Sequence, residues 1–316
     1  MLGDDERALL ASLPPLGIIL FARNIADPVQ LAALIGEIRA VVPGALLMVD
    51  QEGGRVARLR PPHWPARPAA ATLTHEAAAR AGGEAIGRDA AAAGFDIVAA
   101  PVLDRALPGA SAVVGDRAFP GDARAVAHLG RAFAEGLMAA GVLPVGKHVP
   151  GHGRARVDSH EALPVVDGID PDDLLPFAAN ADLPWMMTAH VLFTAWDRAR
   201  PATLSPVILR EVVRGRIGFD GVLISDDLAM GALSGAPAER ALACLEAGCD
   251  LALWCPGDAA TASVLRAVPP LTPAAASRLA RGHRLLAAMA RQKGPAGEAG
   301  HSVGGHLRLD PGGAGM

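Results

Sequence analysis

Tyrosine is absent from this 316-residue chain, and aromatic side chains make up only 3% of it. That scarcity removes the platforms on which single-stranded nucleic acids stack. An excess of one charge is also missing. The 29 basic and 33 acidic side chains leave a formal net charge of -4, without the clustered Lys and Arg that grip a phosphate backbone. No nucleic-acid partner is expected. Cysteine is scarce: Cys244, Cys249 and Cys255 are odd in number and crowded late in the chain. A disulfide framework is thereby disfavoured, and reduced thiols in a cytosolic protein are the simpler reading. No uninterrupted apolar run reaches the ~20 residues of a membrane span, so no membrane partner is expected. The chain opens on Asp4, Asp5, Glu6 and Arg7 without the basic and then apolar pattern of a secretory leader.

What is present is apolar residue in quantity: 51% of the chain, enough for one large core. Short β-like runs alternate with longer helix-like stretches. The runs fall at 17–21, 45–49, 95–100, 142–146, 185–188, 221–224 and 251–254. Alanine-rich amphipathic stretches lie at 28–42, 75–93, 123–140, 205–216 and 237–247. Strand followed by helix, repeated, predicts βαβ units and a parallel sheet. No GxGxxG opens a helix after the first strand, which weakens a dinucleotide-binding reading. Seven strands are legible where a closed barrel needs eight. Residues 294–316 are Gly/Pro-rich with little apolar content, and they read as a disordered tail beyond a single catalytic unit at 1–293.

Polar residues recur where strands end. Asp50 follows the second run, Asp104 the third, Lys147 and His148 the fourth, His190 the fifth, and Asp226 with Asp227 the sixth. In a barrel these ends converge on one mouth; in an open sheet they spread along an edge. Convergence favours an α/β fold of the (β/α)8 TIM-barrel type, with its first strand missing or distorted.

The segment 147–160, KHVPGHGRARVDSH, is the densest in chemistry. Its charge and its Gly and Pro content predict a mobile loop rather than a buried element. Asp158 stands two residues from His160, a spacing that lets a carboxylate fix the tautomer of an imidazole able to act as acid and base near neutrality. His148, His152, Asp158 and His160 are also metal-ligating types, but the helical HExxH spacing is absent, so no metal is expected. In SDDL, Asp226 and Asp227 point to opposite faces if the strand geometry persists, so one faces a ligand and the other binds backbone. Asp50, Arg58, Arg117, Lys147 and His148 could grip a polar, hydroxyl-rich ligand, with Glu52 orienting them.

Together, DQEGGRVARLR, GDRAF, KHVPGHGRARVDSH and GFDGVLISDDLAM resemble the ordered motif set of the family-3 glycoside hydrolases. More narrowly they are similar to the bacterial β-N-acetylhexosaminidases of peptidoglycan recycling. The resemblance spans about 17–255. It implies a single-domain barrel in the cytoplasm, a monomer or weak dimer, needing neither metal nor organic cofactor. Asp226 then matches the nucleophile, His160 the general acid/base and Asp158 its orienting partner. Asp50, Arg58, Arg117, Lys147 and His148 match the positions that bind an N-acetylglucosamine ring. Two positions depart from the pattern: Val149 stands where an aromatic is expected, and Val157 where a smaller residue is. Relatives usually begin with one more strand, so a shortened start or an incomplete barrel with two exposed edges is expected. The implied reaction is retaining hydrolysis of a small carbohydrate, N-acetylglucosamine joined β-1,4 to 1,6-anhydro-N-acetylmuramic acid, with or without peptide. A glycoside phosphorylase using phosphate as acceptor remains open, because an imidazole acid/base does not repel an anion as a carboxylate would. A degenerate sugar-binding protein is the non-enzymatic alternative.

Overall fold

The computed structural model describes residues 1–168 and 170–292. Its main sheet contains seven parallel strands: β1 (Gly17–Leu20), β2 (Leu46–Val49), β3 (Ile97–Val98), β4 (Leu143–Val149), β6 (Trp185–Thr188), β8 (Val222–Asp227) and β9 (Leu251–Leu253). Spatial order follows chain order from β1 to β9. Every neighbouring pair is parallel, so each strand must be joined to the next by a crossover. Each of the six crossovers contains a helical segment: α2 (Pro28–Val41), α3 (Glu76–Ala93), α4 (Ala123–Ala139), α5 (Pro171–Ala178), a π-helical segment (Ile208–Arg216) and α6 (Pro237–Ala247); α7 (Ala259–Ala267) follows β9. A short α1 (Asp4–Ser12) precedes β1, and α8 (Pro273–Gln292) closes the described chain.

The helices begin where the sequence places caps. Asp27 accepts from the Gln30 amide ahead of Pro28, and Asp122 accepts from the Ala125 amide. Alternation along the strands then sorts the core. Leu46, Met48, Leu143, Val145, Trp185, Met187, Val222 and Ile224 pack in one cluster, with Leu279 and Met289 of α8. The intervening Leu47, Val49 and Val98 pack with α2, α3 and α4 through Leu31, Ile86 and Phe133. One face of the curled sheet is therefore an inner layer and the other carries the helices.

The sheet is a curled half-barrel of seven strands, and among the described residues β1 and β9 do not pair, as the incomplete (β/α)8-type barrel read from seven legible strands implies. Other expectations are corrected. A two-stranded parallel ribbon of β5 (Val165–Val166) and β7 (Leu192–Phe193) was not anticipated, because two-residue strands leave no periodic signal. The largest correction concerns 147–160. Its first residues are not loop: β4 runs to Val149 and is buried throughout. Charge does not prevent this burial because each charged group has a partner, Lys147 with Asp50 and Glu52, and His148 with Asp104. Val149 is fully buried in a second core cluster, while Val157 is 43% exposed. The tail expected at 294–316 lies outside the described residues.

Candidate active site

A pocket of about 440 Å³ opens at the C-terminal ends of the strands. Strand alternation explains its floor. Leu46 and Met48 face the inner layer, and two residues on comes Asp50. Leu143 and Val145 lead likewise to Lys147, Val222 and Ile224 to Asp226, and Leu251 and Leu253 to Cys255. All eight residues anticipated from the sequence line this one pocket: Asp50, Arg58, Arg117, Lys147, His148, Asp158, His160 and Asp226.

The ring-gripping candidates form a single charge network. Lys147 Nζ lies 2.9 Å from Asp50 Oδ1 and 2.6 Å from Glu52 Oε1. Arg58 Nη2 donates to Asp50 Oδ2 at 3.2 Å. Arg117 clasps Glu52 through two bonds of 2.8 Å, and its Nη2 is 3.4 Å from His148 Nε2. Burial alone would raise the Glu52 pKa, but Lys147 and Arg117 overcome it and hold the carboxyl at about 2. The 51–59 loop that carries Arg58 is held by Gln51. Its side-chain oxygen accepts from the Arg58 and Leu59 amides, and its amide nitrogen donates to the Leu59 carbonyl. Gly53 makes the turn at φ +93°, where a Cβ would sit 2.2 Å from the Pro68 carbonyl oxygen.

His148 is oriented from below. Asp104, only 1% exposed, accepts from its Nδ1 at 2.6 Å, which leaves Nε2 toward the pocket. The same carboxylate accepts from the His152 amide at 2.6 Å. Burial alone would raise the Asp104 pKa; the adjacent His148 and His152 lower it.

Asp226 and Asp227 divide as strand alternation requires. Asp227 Oδ1 accepts from the amides of Ala229 and Cys255 at 3.0 and 3.1 Å. Among the described residues Asp226 accepts only from the Asp227 amide, at 2.8 Å, and otherwise faces the pocket. Burial would raise its pKa, yet His148 and His190 bring it below the ordinary carboxyl value, so it stays ionised at neutral pH. Asp158 Oδ1 accepts from both the backbone amide of His160, at 2.9 Å, and its Nδ1, at 2.7 Å. The imidazole is 63% exposed and presents Nε2 outward. His148 turns to Asp104, His152 to Ser159 and His160 to Asp158, and no group of three candidate ligands occurs among the described residues.

An ionised carboxylate and a carboxylate-oriented imidazole lining one pocket can perform nucleophilic and acid–base chemistry together. Comparison with known proteins gives the family. The model of the glycosyl hydrolase family 3 N-terminal domain matches residues 3–279. The chain belongs to glycosyl hydrolase family 3. A beta-hexosaminidase of Methylococcus capsulatus is 44% identical to this family-3 chain, covering 88% of it and 87% of that protein. One from Alkalilimnicola ehrlichii is 42% identical over 89% and 85%. NagZ from Neisseria gonorrhoeae, solved with N-trifluoroacetyl-D-glucosamine, superposes with a TM-score of 0.81 at 34% identity, covering 91% of this chain and 89% of that one.

Sequence reasoning left out several residues at or behind the pocket. Asp104 and His190 were seen at strand ends but given no role, and Glu52 was given only an orienting one. His190 is fully buried, with Nε2 3.0 Å from the Asp227 carbonyl and Nδ1 2.7 Å from Thr203 Oγ1. Burial lowers its pKa, against the pull of Asp226. Cys255 lines the pocket, but burial and then Asp227 push its thiol far up, so it stays protonated and unreactive. Period-two counting from the inner apolar residues would have found Cys255; the sequence singled out His152 only as a metal-ligating type.

Proposed function

We propose that this protein is a retaining exo-β-N-acetylglucosaminidase, with Asp226 as nucleophile and His160 as general acid/base. The observation that carries the reading is one pocket lined both by Asp226 and by the Asp158–His160 pair, which stand on separate strand-end segments. The beta-hexosaminidase relatives and the sugar-bound NagZ structure support it. In the first half-reaction Asp226 attacks the anomeric carbon and the glycosidic C–O bond breaks. The imidazolium of His160 gives its Nε2 proton to the departing oxygen. In the second, neutral His160 takes a proton from water, the water oxygen bonds the anomeric carbon, and Asp226 leaves as carboxylate. Asp158 holds the Nδ1 proton throughout and so keeps Nε2 as the working atom.

Asp50, Arg58, Arg117, Lys147 and His148 hold the N-acetylglucosamine ring, and Glu52 and Asp104 aim them. The sugar released with it is 1,6-anhydro-N-acetylmuramic acid, free or peptide-linked, which places the enzyme in cytoplasmic cell-wall recycling. Residues 1–293 form the catalytic unit. No helix among the described residues is long and apolar enough to cross a membrane.

The test is turnover of p-nitrophenyl N-acetylglucosaminide with and without phosphate, with product identification. Free N-acetylglucosamine in both cases supports hydrolysis. Sugar-1-phosphate as the main product would transfer the reading to a phosphorylase, and no turnover at all would leave a sugar-binding protein.

A further inference from the structure

The segment that carries His160 is not loose at its base. His152 and Ser159 bracket it, and they are 3% and 2% exposed, although His160 beside Ser159 reaches into solvent. Across the six residues between them, His152 Nε2 meets Ser159 Oγ at 3.0 Å. The two ends of the segment are thus fastened to each other by one buried hydrogen bond. The lower end is fixed in turn, because the His152 amide donates to Asp104, the carboxylate that also orients His148. The upper end is seated on the segment that follows the nucleophile. The Gly231 amide donates to the His160 carbonyl at 3.2 Å and the Ala232 amide to the Ser159 carbonyl at 3.1 Å.

We infer that His152 is a positioning residue for the acid/base: its imidazole pins Ser159, and through Ser159 sets where His160 stands over the pocket. This rests on the acid/base role proposed for His160. Two physical features favour it. The path from Asp104 through His152 to Ser159 is buried, so its bonds are not exchanged with water and hold a fixed length. Burial also lowers the His152 pKa, against the pull of Asp104, which keeps the ring neutral at neutral pH. His152 lines the pocket but needs no contact with substrate to act in this way.

The test compares kcat/KM, which reports the glycosylation step, for two substrates in His152→Ala, His152→Gln, Ser159→Ala and His160→Ala. One substrate is a β-1,4 disaccharide, whose leaving oxygen needs a proton. The other is a dinitrophenyl glycoside, whose leaving group does not. His152→Ala and Ser159→Ala should lose about 10- to 100-fold on the disaccharide and less than about 3-fold on the aryl glycoside. His152→Gln keeps an Nε2 donor toward Ser159 and should recover much of the loss. Ser159→Ala removes a single hydroxyl, so it guards against misfolding of the larger change. Equal losses on both substrates in Ser159→Ala, while His160→Ala still discriminates between them, would overturn the positioning role. If His160→Ala itself fails to discriminate, the acid assignment falls and this inference falls with it.

Discussion

Replacing Glu52 by Gln should cost about 3 kcal/mol of stability at neutral pH. The carboxylate is 4% exposed and takes two bonds from Arg117 and one from Lys147. Its pKa is about 2 where an unperturbed glutamate has 4.5. At ~1.4 kcal/mol per pH unit, the site favours the ionised form by about 3 kcal/mol. Gln keeps the shape and removes the charge, leaving Lys147, itself 2% exposed, and Arg117 short of an anion. Losing one partner of a buried ion pair costs a similar ~3–5 kcal/mol. The folded pKa is depressed, so the stabilisation is fully present above pH 4.5 and is lost as pH falls toward 2. Urea unfolding of both proteins at pH 7 and at pH 3 is the assay. A gap of about 3 kcal/mol at pH 7 should shrink at pH 3, where the carboxyl of the unfolded chain is already protonated while that of the folded chain is not. A gap under ~1 kcal/mol at pH 7, or one unchanged at pH 3, would refute the account of Glu52 as the anion that holds Arg117 and Lys147 in place.

Asp226→Ala should lower kcat at least ~10³-fold without altering the unfolding midpoint by more than ~1 kcal/mol, because Asp226 makes only one local backbone contact; steady-state kinetics beside urea melts checks both. Gly231→Ala would place a Cβ 2.7 Å from the carbonyl oxygens of His160 and Glu161, so the His160 segment must shift; disaccharide kcat should fall by about 10-fold while the fold persists by circular dichroism. Gly53→Ala meets both a positive φ and the Pro68 carbonyl oxygen at 2.2 Å, and should cost about 1–3 kcal/mol in denaturant unfolding with a raised KM, since the 51–59 loop carries Arg58.

The predicted strands match the observed ones closely, and the reason is local. Runs such as LLMV and VLIS are apolar on both faces, as a parallel sheet covered on both sides demands. Their upper boundaries were harder. β4 was expected to stop near Gly146 because Lys147 and His148 look solvent-seeking, yet it continues to Val149. The partners that make those residues buriable, Asp50, Glu52 and Asp104, lie some 44 to 97 residues away, and no window along the chain brings them together. The pairing of His152 with Ser159 was hidden for a more local reason: it depends on how the six intervening residues fold back.

The sequence by itself determined the repeating strand–helix order, the parallel sheet, and the recurrence of candidate reactive side chains at strand ends, because periodicity, caps and motif spacing are short-range properties of the chain. The tertiary structure alone decided that Asp227 is spent on the amides of Ala229 and Cys255 while Asp226 is left toward the pocket, and that a buried carboxylate, Asp104, joins the floor of the pocket to the His160 segment. Those outcomes depend on which strand ends meet at one mouth and which charges find partners there, and only the closed packing of distant segments settles them.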